Sequence, residues 1–138
     1  MFVLDTDILT HLLLGHPRVT ERRAQATAEV ALTVVTRIEV LQRRFAFMLK
    51  AEDGEKLLLA QQRLVQTEHD LENFIVLPVD AAVVAEFDQL RQNPKLKKPG
   101  GADILIAAVT LAYRATLVTR NVKDFRRVPG LQIENWAD

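Results

Sequence analysis

Side chains suited to binding a hard cation recur where segments of this chain change character. Asp5 ends the apolar run Phe2-Val3-Leu4, and Glu39 lies one turn into the helical pattern that follows the β-branched stretch 30–35. Asp103 opens the apolar stretch 102–113, and Asn121 with Asp124 follows the short run 116–119. In an open parallel sheet, ligands bind beyond the carboxyl ends of the strands, so acids at such ends meet at one edge. Carboxylates gathered that closely repel one another and cannot all stay ionised unless a cation neutralises them, which points to Mg²⁺ or Mn²⁺. Water activated by such an ion is a nucleophile for phosphodiesters.

Taken singly, each residue also has an ordinary structural role. Asp5 fits the N-cap of a helix starting near Thr6 or Asp7. Thr36-Arg37-Ile38-Glu39 fits a capping box, in which the glutamate only returns a hydrogen bond to the threonine amide. Asp103 stands in a first helical turn, where the helix dipole favours any acid, and Asn121 and Asp124 are ordinary turn residues. The separate roles give no reason for all of them to share one sheet edge. A metal site does.

The elements that must position these side chains alternate. Residues 2–4 read as a strand, 8–14 as a helix stopped by Gly15-His16-Pro17, 18–28 as helix formers, and 30–35 as a strand buried on both faces. A helix over 36–48, a break at Ala51-Glu52-Asp53-Gly54 and a helix over 55–73 form a long hairpin, with Leu57, Leu58, Leu64, Val65 and Leu71 expected inward. A short strand lies within 74–79, and Asp80 is placed to cap a helix over 81–92. The basic, proline- and glycine-containing stretch 93–101 reads as a loop, 102–113 as a central helix, 116–119 as a strand, 120–129 as turns and 131–133 as a last, edge strand. Strands separated by helices imply right-handed crossovers, hence a three-layer α/β fold with a mostly parallel central sheet flanked by helices.

Composition narrows the remainder. With 138 residues, 49% of them hydrophobic, the chain has the size of one domain, 1–138, able to bury a core without staples. The absence of cysteine removes disulfides and thiolate chemistry, so any metal must be held by oxygen or histidine. Basic and acidic residues number 18 each, so a case for nucleic acid must rest on local patches rather than net charge. The first residues carry Asp5 and Asp7 and lack a basic leader followed by a long apolar run, so a soluble cytoplasmic protein without a membrane anchor is expected.

In these residues the chain resembles the PIN-domain ribonucleases, and among them the VapC toxins of type II toxin–antitoxin systems. The resemblance covers nearly the whole chain. Val3-Leu4-Asp5-Thr6-Asp7-Ile8-Leu9 is similar to the family's first motif and Thr36-Arg37-Ile38-Glu39 to its second. Gly101-Ala102-Asp103-Ile104-Leu105-Ile106-Ala107-Ala108 is similar to the third, and Leu117-Val118-Thr119-Arg120-Asn121-Val122-Lys123-Asp124-Phe125 to the fourth.

The resemblance implies that Asp5, Glu39 and Asp103 hold Mg²⁺ or Mn²⁺. It implies a fourth acidic position at Asp124, with Asn121 as the other candidate through its neutral carbonyl, and Thr6 and Thr119 as supporting groups that orient the acids. Asp7 stands where the family usually has asparagine, either adding charge or capping a helix. The implied reaction is hydrolysis of RNA by metal-activated water, with Arg37, Lys97, Lys98, Arg120, Lys123, Arg126 and Arg127 as phosphate-binding candidates. The implied partners are RNA, a second copy of the chain as a homodimer, and a cognate antitoxin. The apolar helices between residues 36 and 73, with Phe45, Phe47 and Met48, are candidates for the protein interfaces, although such aromatics are more often core.

Two other readings compete. A haloacid-dehalogenase-like phosphatase would use Asp5 and Asp7 as nucleophile and acid, but it needs a lysine followed by an adjacent acidic pair, and Asp103 and Asp124 are solitary. A non-catalytic binding module would not require the full acidic set. His11, His16 and His69 fall at helical or turn positions that suit surface or packing roles.

Overall fold

The computed structural model describes residues 1–96 and 100–138, so Lys97 and Lys98 of the expected phosphate-binding set lie outside the described residues. Strand β1 (Phe2–Leu4) passes through Asp5 into α1 (Thr6–Leu13), and the Asp5 carboxylate caps that helix by accepting from the Ile8 amide at 2.9 Å. After α1, Gly15 takes φ +78°, a conformation that suits glycine, and the chain enters α2 (Pro17–Gln25) with proline in its first turn. Next come β2 (Val30–Thr33), α3 (Val34–Leu49), α4 (Gly54–Leu71) and β3 (Ile75–Leu77). The chain ends with α5 (Ala81–Gln92), α6 (Gly101–Ala112), β4 (Thr116–Val118), α7 (Val122–Phe125) and β5 (Gln132–Glu134). Asp80 caps α5 as expected, accepting from the Val83 amide at 3.0 Å.

The five strands are ordered β3-β2-β1-β4-β5 and all their pairings are parallel, with β1 in the middle. Successive strand residues face opposite sides, and the core divides accordingly. Val3, Ala31 and Leu117 point into a layer built on α5 and α6, where Val83, Leu90, Ile104, Ala107 and Ala108 are buried. Leu4, Leu32 and Val118 point the other way, onto Ile8, Leu9, Val19 and Val40 of the first three helices and onto Trp136. This is the three-layer α/β arrangement expected from the alternation of elements.

Three expectations need correcting. The second strand ends at Thr33 and not at residue 35, because the fully buried Thr33 hydroxyl accepts from the Thr36 amide at 3.3 Å and so starts α3 two residues early. On α4, Leu57, Leu58 and Val65 are exposed by 44%, 59% and 40%, Leu64 is half-buried, and only Leu71 is buried. α4 rests chiefly on α3, so only the seam Ala60, Thr67 and Leu71 is buried. The aromatics Phe45 and Phe47 of α3 are likewise exposed and are not core. Finally, the turn-rich stretches contain short helices: Pro94–Leu96 forms a 3₁₀ turn burying Leu96, and α7 lies within 120–129.

Candidate active site

From β1 the chain crosses to β2 and β3 on one side, and later to β4 and β5 on the other, so the crevice between the carboxyl ends of β1 and β4 is the sheet's switch point. Asp5 is the first residue beyond β1, and its amide donates to the Val118 carbonyl of β4 at 3.0 Å. Its side chain is buried, and burial pushes its carboxyl above the usual range. Hydrogen bonds from the Thr119 hydroxyl and the Ile8 amide oppose that rise, while the charges of Asp7 and Asp103 add to it. Thr119 in turn is held by the Asn121 amide, which donates to its hydroxyl at 3.0 Å. Asp5 therefore is the helix cap, and it also presents a buried carboxylate at the switch point.

Glu39 is brought in by α3 and does not form a capping box, since Thr33 and not Thr36 caps that helix. The Thr6 hydroxyl donates to Glu39 Oε1 at 2.7 Å and lies 3.2 Å from the buried Thr36 hydroxyl. A hydroxyl carries one proton, so with Thr6 committed to the carboxylate, Thr36 is the donor of the second bond. Asp103 stands in the first turn of α6, half-buried. Burial raises its carboxyl, and the charges of Glu39, Asp124 and Asp7 raise it further. Asp124 on α7 accepts from the Asn121 side-chain amide at 3.1 Å.

These groups surround a cavity of about 120 Å³ lined by Asp5, Thr6, Asp7, Glu39, Arg43, Asp103, Ile106, Asn121 and Phe125. Asn121 is in the wall, whereas Asp124 stands behind it and reaches the site through its charge and its bond to Asn121. Asp7 is not the cap of α1; its carboxylate faces Arg43 at 3.6 Å. Arg43 was missed by the sequence reasoning, although its position four residues after Glu39 puts it on the same helix face. Among the described residues, the larger hollows at Arg37 and Phe74, at Phe2 and Trp136, and at Leu111 and Gly130 lack this gathering of acids. One of about 280 Å³ is lined by Arg37 with Leu41, Glu68, Glu72 and Phe74, so Arg37 belongs to that hollow and does not line the acidic cavity. Arg120 is exposed beside the site, 3.6 Å from Asp138 and 3.4 Å from His11 Nε2, while Lys123, Arg126 and Arg127 are exposed on and just after α7.

Among the described residues, no three His, Asp or Glu side chains stand close enough together, as they lie, to hold a metal ion. The donor set around the cavity is nonetheless all oxygen, which matches the preference of Mg²⁺ and Mn²⁺. The repulsion that raises Asp103 is also what a bound cation would relieve.

The family described as PIN domain matches residues 2–131. The chain belongs to the PIN domain family. Within this family it is 25% identical to Ribonuclease VapC2 of Rickettsia felis over 99% of this chain and 98% of that protein. Its identity to the tRNA(fMet)-specific endonuclease VapC of Salmonella typhimurium is also 25%, with the same coverage. Among solved structures, VapBC-1 from nontypeable Haemophilus influenzae matches this PIN fold with a TM-score of 0.79 at 25% identity, covering 99% of this chain and 98% of that one. The Rickettsia felis VapBC2 structure, bound to a DNA fragment from their promoter, matches with a TM-score of 0.75 at 26% identity over 98% of each chain. The resemblance read from the four motifs thus holds along the chain. Among the described residues, no helix of this PIN domain is long and apolar enough to cross a membrane.

Proposed function

We propose that this chain is an endoribonuclease that acts as the toxin of a toxin–antitoxin pair, with residues 1–138 forming one catalytic domain. The observation that carries the reading is the convergence of Asp5, Glu39 and Asp103 on one oxygen-lined cavity at the switch point of a PIN-family sheet. The ribonuclease names of its relatives agree with it.

In this reading Asp5, Glu39 and Asp103 would hold Mg²⁺ or Mn²⁺, with Asp124 adding negative charge and Asn121 offering a neutral carbonyl. A divalent ion there supplies activated water for phosphodiester hydrolysis and neutralises charge on the phosphate. The chain's own groups prepare the site. Thr119 and the Ile8 amide fix the Asp5 carboxylate, and Thr6, locked by Thr36, fixes that of Glu39. Arg120, Lys123, Arg126 and Arg127, exposed beside the site, suit contact with the RNA backbone. The exposed apolar residues of α3 and α4, including Phe45, Phe47 and Leu58, offer surface for the antitoxin and for a second copy of the chain.

The test is cleavage of a single-stranded RNA by the purified protein in Mg²⁺ or Mn²⁺. Activity should vanish with chelator and fall by at least about a hundredfold in Asp103→Asn and in Asp5→Ala, since removal of an ion-binding acid forfeits several kcal/mol of transition-state stabilisation. RNA cleavage that survives chelator, or hydrolysis of phosphate monoesters in its place, would overturn the reading.

A further inference from the structure

A site built to gather negative charge must still admit a substrate whose backbone is itself negative. The cavity wall carries four carboxylates, those of Asp5, Asp7, Glu39 and Asp103, and among the described residues a single basic side chain, Arg43. That guanidinium reaches the wall from α3, on the same face as Glu39, and meets Asp7 from the first turn of α1 at 3.6 Å.

The pairing is loose. Arg43 and Asp7 are 54% and 66% exposed, and a solvated pair of this kind is worth about 0.2–1 kcal/mol. It holds the guanidinium beside the cavity without consuming its capacity, because five N–H donors remain for a stronger acceptor. A phosphodiester is such an acceptor, since guanidinium matches two phosphate oxygens in a bidentate geometry that the 3.6 Å contact to a single Asp7 oxygen does not supply.

Resting on the ribonuclease reading above, we propose that Arg43 is the RNA-phosphate-binding residue of this site and that Asp7 occupies it in the free protein, to be displaced when the backbone of the RNA enters. Asp7 is then a competitor for Arg43 and not a ligand of the ion. Its charge keeps the arginine aimed along the wall, and the substrate takes over the contact. Binding in this cavity consequently depends on one guanidinium, while the rim bases add affinity from outside.

The experiment measures binding of a fluorescently labelled single-stranded RNA oligonucleotide by anisotropy over a range of salt, in chelator so that no cleavage accompanies binding. Initial rates of RNA cleavage in Mg²⁺ are measured alongside. Arg43→Ala should weaken binding by about tenfold or more, the equivalent of one lost charge-assisted hydrogen-bonded contact, and should raise KM more than it lowers kcat. It should also reduce the slope of log Kd against log salt by about 0.7, the signature of one phosphate contact on a single strand. Arg43→Lys should keep that slope and regain only part of the affinity, because an ammonium lacks the planar fork. Asp7→Asn should tighten binding by about two- to fivefold, and this gain should shrink in the Arg43→Ala background.

Unchanged affinity and slope in Arg43→Ala, in a chain whose wild type cleaves RNA, would overturn the proposal while leaving the ribonuclease reading intact. So would weaker binding in Asp7→Asn. If both variants merely lower the thermal midpoint and leave binding untouched, the pair is only a tie between α1 and α3, and the proposal is refuted. A wild-type protein that neither binds nor cleaves RNA removes the ribonuclease reading, and this inference falls with it.

Discussion

Replacing Thr6 by valine removes one hydroxyl from the site at nearly constant volume. Two interactions are lost. The bond to Glu39 Oε1, at 2.7 Å, is charge-assisted and such bonds are worth about 1.5–3 kcal/mol net. Glu39 is only half-buried and regains some water, which favours the lower end of that range. The Thr36 hydroxyl, at 0% exposure, cannot reach water and keeps an unmet partner costing about 1 kcal/mol or more. The added methyl returns roughly 0.8 kcal/mol of apolar transfer. The expected net loss is therefore about 2 kcal/mol, and Thr6→Ser, which keeps the hydroxyl, should lose under about 1 kcal/mol. Urea denaturation of the ion-free proteins measures the difference, with the slope of the unfolding line expected to stay constant. A Mg²⁺ titration followed by the shift in urea midpoint should show weaker coupling for Thr6→Val, since Glu39 is no longer oriented. Equal stabilities for the valine and serine variants, or wild-type Mg²⁺ coupling in both, would refute the assignment of Thr6 as the group that fixes Glu39.

Three other outcomes are expected. The carboxyls of Asp5 and Asp103 are both raised above 3.8 in the folded chain. A raised carboxyl contributes stability that is complete below its unfolded pKa and is lost as pH rises through its folded pKa, so in the ion-free protein the advantage of Asp103→Asn over wild type in urea midpoint should grow as pH rises from about 4 to neutral. Saturating Mg²⁺ should raise the wild-type midpoint more at the higher pH; an Asp103→Asn advantage that shrinks as pH rises without ion would contradict this. Asn121→Asp replaces a donor 3.1 Å from Asp124 with a like charge, and should cost about 1 kcal/mol in chelator while gaining more from Mg²⁺ than wild type, read by the same titration. The pair Phe45→Ser and Leu58→Gln, at residues 53% and 59% exposed, should change the stability of the isolated chain by less than about 0.5 kcal/mol while abolishing self-association in sedimentation experiments.

The acidic set was legible because each member lies next to a change of sequence character: Asp5 after an apolar run, Asp103 at the start of an apolar helix, Asn121 and Asp124 after a β-branched strand. Local signals of that kind survive in a linear chain. The start of α3 was misplaced because Val34 and Val35 continue a β-branched run, and only the buried Thr33 hydroxyl turns that run into a helix. The outward leucines of α4 share the apolar character of core residues, and nothing along the chain says that α4 packs chiefly on α3 with one side uncovered. Arg37 illustrates the reverse: it adjoins Thr36 in sequence, but helical geometry turns it into a different hollow.

By itself, the sequence determined the alternation of elements, the caps at Asp5 and Asp80, and the identity of the acids, because these follow from near-neighbour hydrogen bonds and hydrophobic periodicity. Tertiary structure decided which side chains share the cavity and which only stand behind it. The order β3-β2-β1-β4-β5 sets Asp5 next to Thr119, and the packing of α1 on α3 sets Thr6 against Glu39 and Asp7 against Arg43, across more than thirty residues of chain. Contacts of such separation depend on how helices pack over the sheet, which no stretch of sequence specifies alone.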